Sequence, residues 1–178
     1  ALLSQRLGIR MLDRELIDEL WKNDPEMKQL AQQYDERPVN RILSRKINEF
    51  DNSIPHNVAQ RQFDMIRQIA DSGESAIFVG RCADYALAGR PGLLRIFCRA
   101  DLGLRIRRIE QRHNLSKKKA ALLVAKTDRH RRVYYHHHTG QFWGHSSCYD
   151  LTVNTGVLGV EKTAETMEAF IRTFWEQD

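Results

Sequence analysis

Arginines dominate one stretch of this chain, and their spacing is regular. Arg105, Arg108 and Arg112 recur at intervals of three and four residues, which puts them on one face of a helix. A guanidinium group is planar, binds phosphate oxygens in pairs and keeps its charge at physiological pH. Three in one stripe form a comb that could face a polyphosphate. Further on, Asp128, Arg131, Arg132 and Tyr135 fall at i, i+3, i+4 and i+7 and again share a helical face. An acid within an arginine face can orient the guanidinium groups by ion pairing. The same pattern also fits a self-satisfied salt-bridge face, but two such helices in succession weigh against that reading.

The charge is local. Residues 99–132 carry twelve Lys or Arg against three acids, Asp101, Glu110 and Asp128. The whole chain carries 28 against 23, a net charge of +5, so the remainder is acidic. A local positive field attracts nucleotides, nucleic acid or an acidic membrane face. With 178 residues, 42% hydrophobic and 29% charged, the chain reads as one soluble globular domain with room for a real core. No apolar run approaches the roughly 18 residues of a membrane span. Cys82, Cys98 and Cys148 are odd in number and far apart, which argues against a disulfide framework and for a reducing cytoplasm. His136, His137 and His138 invite a metal reading, but neighbours on a helix point in different directions. No second cluster stands at ligand spacing, so no metal site is assigned. Tyr134 and Tyr135 with Phe142 and Trp143 could stack on a base or pack a flap onto the core.

The elements that must position these residues alternate along the chain. Ala1–Leu7 reads as the tail of a helix closed by Gly8. Ile9–Leu12, Ala76–Val79, Leu93–Cys98 and Tyr149–Val153 are short apolar runs expected to be strands. Helical patterns cover Arg14–Lys22, a segment begun by Pro25, Val58–Ala70, Asp101–His113, a helix capped by Ser116 and reaching about His138, and Val160–Trp175. Asp35–Pro55 is polar and reads as mobile helical pieces. Strands alternating with helices argue for an open, mostly parallel sheet. Ligands of such sheets sit beyond the carboxyl ends of the strands. That rule selects Asp13, Arg81, Ala100–Asp101 and Asn154–Thr155 before any chemistry is considered.

Four segments together resemble the cytidylate-kinase-like family of P-loop kinases. They are Phe78-Val79-Gly80-Arg81-Cys82-Ala83-Asp84-Tyr85, Asp128-x-x-Arg131-x-x-Tyr134-Tyr135, Thr139-Gly140-x-x-Trp143-Gly144 and Tyr149-Asp150-Leu151-x-Val153-Asn154-Thr155. The likeness is strongest from about residue 60 onward and loose between 22 and 57. It implies an α/β, P-loop NTPase-like three-layer sandwich with a mostly parallel five-stranded sheet and a helical lid. The chain would be one domain, 1–178, with an acceptor-side helical insertion at 22–57 and a lid at 114–147. By the resemblance, Asp13 and Arg14 stand on the acceptor side, and Gly80-Arg81 matches a Gly-Arg-Asp segment whose arginine holds the acceptor. Here Cys82 replaces the acid, which reappears at Asp84, and that shift puts a cytosine preference in question. Gln60, Arg61 and Glu36 are further acceptor-side candidates. Arg105 and Arg108 match lid-entry arginines that contact ATP, Asp128 and Arg131 a lid pair that closes on the transferring phosphoryl group, and Asn154-Thr155 a loop beside the adenine. The glycine-rich phosphate loop of the family has no counterpart in the chain, and no GxxxxGK[ST] occurs. That loop and the first strand are expected upstream of Ala1.

The expected activity is ATP-dependent phosphoryl transfer to a small phosphorylated or hydroxyl acceptor, such as the nucleoside monophosphate CMP. Mg2+ would enter with ATP, held mainly by the substrate and the upstream loop. A catalytically degenerate nucleotide-binding or regulatory protein is the alternative. A basic nucleic-acid-binding module ranks last, because no reader motif is present. No membrane partner is expected, and a homodimer is left open.

Overall fold

A computed structural model of the chain describes residues 1–13, 21, 22, 25, 28, 29 and 54–176, with side chains described from residue 56 in the last of these stretches. The Arg14–Lys22 helix, the Asp35–Pro55 segment, Arg14 and Glu36 fall largely or wholly outside them. In chain order the elements are α1 (Leu2–Leu7), β1 (Arg10–Leu12), α2 (Ile54–Asp71), β2 (Ala76–Phe78), α3 (Ala83–Ala86), β3 (Ile96–Arg99), α4 (Leu102–His113), α5 (Lys117–Thr139), β4 (Leu151–Asn154) and α6 (Thr155–Trp175), with a 3-10 turn at Ser146–Cys148 before β4.

Each helix has a local cause. α1 stops because Gly8 takes a left-handed φ of 69° and its N–H returns to Ser4 O. α2 carries an apolar stripe, and its Val58, Phe63 and Ile66 are buried. Ser116 caps α5, its side chain accepting from the Lys119 N–H. Asn154 caps α6 by accepting from the Gly156 N–H at 3.0 Å. Helical geometry breaks inside α6 at Gly159, with φ 76° and ψ 175°, so the expected start at Val160 marks the second segment rather than the first turn. α3 was not foreseen, since four residues are too few to show a period.

The four expected strands are all present, in two parallel pairs. β1 runs beside β2 with Leu12 opposite Phe78, and β3 beside β4 with Arg99 opposite Asn154. Among the described residues there is no fifth strand, and β2 and β3 do not pair with each other. β3 begins later than expected because Arg95 is engaged elsewhere. Its N–H donates to Asp150 Oδ2 at 2.7 Å, and its carbonyl accepts from the Asp150 N–H at 2.8 Å. That clamp precedes the ladder and likewise delays β4 to Leu151.

Parallel pairing aligns the carboxyl ends. The Val79 N–H donates to Leu12 O at 2.9 Å, so Asp13 lies beside the Val79–Arg81 turn. The other pair brings Ala100 and Asp101 beside Asn154 and Thr155. The main core joins Leu12, Ala59, Phe63, Ile66, Cys82, Leu87, Tyr134 and Tyr135, with Trp143 packed against it. Tyr134, Tyr135 and Trp143 thus pack against the core. Phe142 stays exposed. Among the described residues no helix is long and apolar enough to cross a membrane.

Candidate functional site

Among the described residues β2 and β3 do not pair, and the space between them is a gap of about 880 Å3 lined by the strands themselves and by Leu3, Leu7, Met167 and Ile171 of α1 and α6. The end of β1 contributes Asp13, and the turn after β2 contributes Gly80, Arg81 and Asp84. Arg95 comes from the approach to β3, and Arg131 from α5.

The turn after β2 has an uncommon backbone. Gly80, Arg81 and Cys82 have φ of 74°, 54° and 52°, three left-handed residues in a row. Glycine adopts this freely, whereas Arg and Cys each lose about 1–2 kcal/mol there. Packing holds them. Cys82 is buried in the core, and Arg81 is only 4% exposed. The Arg81 guanidinium donates to Asp13 Oδ1 at 2.9 Å and to Val79 O at 3.0 Å. Burying a guanidinium requires a counter-charge, and Asp13 supplies it while keeping half of its own side chain in solvent. Backbone strain held by surrounding structure is characteristic of sites where geometry matters.

A second network walls the cavity. Tyr135 Oη donates to Asp84 Oδ2 at 2.6 Å. Burial, reinforced by that bond, pushes the Tyr135 phenol far above its ordinary range, so it remains protonated and a donor. Burial also raises Tyr149, whose oxygen accepts from the Gly144 N–H at 3.3 Å. Arg95 grips Asp150 through both Nε at 3.1 Å and Nη2 at 2.7 Å. Hydrogen bonding to Arg95 holds the Asp150 carboxyl below the usual range.

The lid residues arrange differently from their spacing. Asp128 shares a helical face with Arg131, but its carboxylate accepts from Arg105 Nη2 and so bridges α5 to α4. Arg131 stands at the cavity wall beside Tyr134 and Tyr135. Arg105, Arg108, Asp128, Asn154 and Thr155 are not part of that wall, nor is Gln60, which is exposed on α2. Asn154 Nδ2 reaches Asp101 Oδ1 at 3.4 Å and Thr155 Oγ1 donates to Arg99 O at 3.2 Å, so these two residues tie together the ends of β3 and β4. Thus Asp13, Arg81, Asp84 and Arg131 line one gap, while the expected ATP-side residues Arg105, Arg108, Asn154 and Thr155 lie outside its lining.

Residues 1–157 match the cytidylate kinase-like family. The chain belongs to that family. No curated protein matches it. Among solved structures, this cytidylate kinase-like chain is similar to the crystal structure of an uncharacterized protein from Eubacterium ventriosum ATCC 27560. The two share 27% identity with a TM-score of 0.73, over 96% of this chain and 88% of the other. Kinase-like nucleotide handling is the function class that the family name carries.

Arg95, Tyr149 and Asp150 were not singled out for chemistry. Tyr149 and Asp150 stood inside a matching segment, but their partners lie far along the chain: Arg95 is 55 residues from Asp150. Spacing reports neighbours on one helix and is silent on such pairs.

Proposed function

We propose that this protein transfers the terminal phosphoryl group of ATP to a small acceptor, a nucleoside monophosphate such as CMP. The observation that carries this reading is that Asp13 and Arg81, just past the ends of β1 and β2, are joined by an ion pair and line the same gap as Arg131, within a chain of the cytidylate kinase-like family. In the reaction the bond between the bridging β,γ-oxygen and the terminal phosphorus breaks, and one from an acceptor phosphate oxygen to that phosphorus forms. ADP leaves, and the acceptor becomes a diphosphate. Catalysis of this kind is mostly positioning and charge stabilisation.

Arg81 is preset for the acceptor side, with Asp13 fixing the guanidinium plane. Arg131 is the lid cation that neutralises charge as the phosphoryl group moves. Arg105 and Arg108 on α4 contribute positive potential toward ATP, and Asp128 holds Arg105 in place. Asn154 and Thr155 shape the edge beside the base. The wall offers hard oxygen at Asp13, already paired with an arginine, and at Asp84, already bonded to Tyr135. That suits a hydrated Mg2+ carried in by ATP, touched by Asp13 through water, rather than an ion caged by protein. When bound, the ion draws charge from the donor phosphates.

The test is ADP release by the full-length gene product with ATP, Mg2+ and a panel of nucleoside monophosphates. One acceptor should raise the rate well above ATP alone. A second reading, nucleotide binding without turnover, draws on Cys82, which stands in the core where the family's segment carries an acid. Tight nucleotide binding with no product from any acceptor would favour it.

A further inference from the structure

The fold assembles a histidine cluster that the sequence keeps apart. His137 and His138 lie in the last turn of α5, and His56 lies in the first turns of α2. One ring nitrogen from each lies within 4.8 Å of the others. The His56 and His138 rings stack with centroids 6.4 Å apart, and His137 meets His138 edge-on at 4.8 Å. Phe63 at 5.7 Å and Tyr134 at 4.5 Å back the His138 ring, so the cluster has an apolar floor. His56 and His138 are half-buried, and His137 is exposed, which leaves one side open to solvent.

Adjacent histidines alone point apart, and for that reason no metal site was assigned from the sequence. His56, arriving from another helix, changes the geometry. Around a tetrahedral ion with Zn–N distances near 2.0–2.1 Å, ligand nitrogens stand roughly 3.3 Å apart. Closing on an ion would bring them together by roughly a further 1.5 Å or less. Three imidazoles and an open fourth position suit zinc and other borderline divalent ions, and they discriminate against Mg2+ and Ca2+, which require oxygen.

We propose that His56, His137 and His138 bind one zinc-class divalent cation that clips the end of α5 to the start of α2. α5 carries Arg131 and Asp128, so the ion would fix the end of the lid helix against the acceptor-side helix. The site is distinct from the cavity and does not use ATP or its Mg2+.

The experiment is calorimetric titration of the metal-stripped, full-length protein with ZnCl2, with Co2+ absorption as a geometric probe. One equivalent should bind, Co2+ should show the intense visible bands of a four-coordinate site, and the melting temperature should rise with Zn2+ concentration. His56→Ala should weaken Zn2+ binding by more than the roughly 10–100-fold that losing an outer-shell partner costs. His137→Ala, at an exposed position, should do the same without the folding risk. His136→Ala should leave binding intact, because the His136 ring lies against Phe142 and contacts Gln141 O instead. Zn2+ binding that survives His56→Ala but needs His136 would mean an exposed histidine run chelating by itself, and would overturn the proposal. So would equal affinity for Mg2+, or no binding.

Discussion

Arg81 shows how much one side chain depends on its neighbour. It is a buried cation in a left-handed backbone, and it is ion-paired with the Asp13 carboxylate. Asp13→Ala leaves that charge less compensated and should lower stability by about 1–3 kcal/mol, the usual cost of breaking a buried pair reduced for Asp13's exposure. Urea denaturation measures it. Arg131→Ala should leave stability nearly unchanged and reduce turnover on the order of 10³–10⁵-fold, the range for an arginine acting in a phosphoryl-transfer transition state. Full activity in that variant would remove Arg131 from the mechanism. Asp150 has a pH signature. Its folded pKa lies below the unfolded value, so its contribution is present above about pH 4 and disappears as pH falls through the folded value. Asp150→Asn should cost about 1 kcal/mol at pH 7 after allowance for solvent, and almost nothing near pH 2. Unfolding curves at the two pH values compare wild type and variant. Arg81 and Arg131 were legible from motif and spacing. The pairing of Asp128 with Arg105 was not, because a helical face groups residues of one helix and cannot report the helix packed against it.

Among the elements, the flap after α5 is fixed by aromatic packing. Gly144 has φ +79°, and a Cβ there would meet the Phe97 ring at 2.9 Å. That ring is already enclosed by Trp143 at 5.3 Å and Tyr149 at 4.9 Å, so it has little room to give. Gly144→Ala combines backbone strain with a clash and should lower stability by about 1–3 kcal/mol, read as a fall in melting temperature. α5 also carries the lid's cation. If the lid closes on substrates, amides in residues 114–145 should gain hydrogen-exchange protection when ATP and acceptor are both present, and unchanged exchange would count against closure. The helices from Val58 onward, apart from the four-residue α3, and the existence of all four strands were readable from the sequence, because period and turn residues are local signals. The starts of β3 and β4 were placed too early, at Leu93 and Tyr149, since the clamp between Arg95 and Asp150 outranks local apolarity there.

For the molecule as a whole, the two parallel strand pairs frame one cavity and point their carboxyl ends the same way along each pair. The general rule for open α/β sheets selected Asp13 and Arg81 as candidates from the sequence, and the structure joins the two in an ion pair. The most direct measurement follows the phosphorus itself: 31P NMR of the full-length protein with ATP, Mg2+ and CMP, and with other nucleoside monophosphates in parallel. The expected result is matched growth of ADP and one nucleoside diphosphate, abolished by Arg131→Ala. ATP and every monophosphate persisting unchanged, while the protein binds them, would contradict phosphoryl transfer at this site.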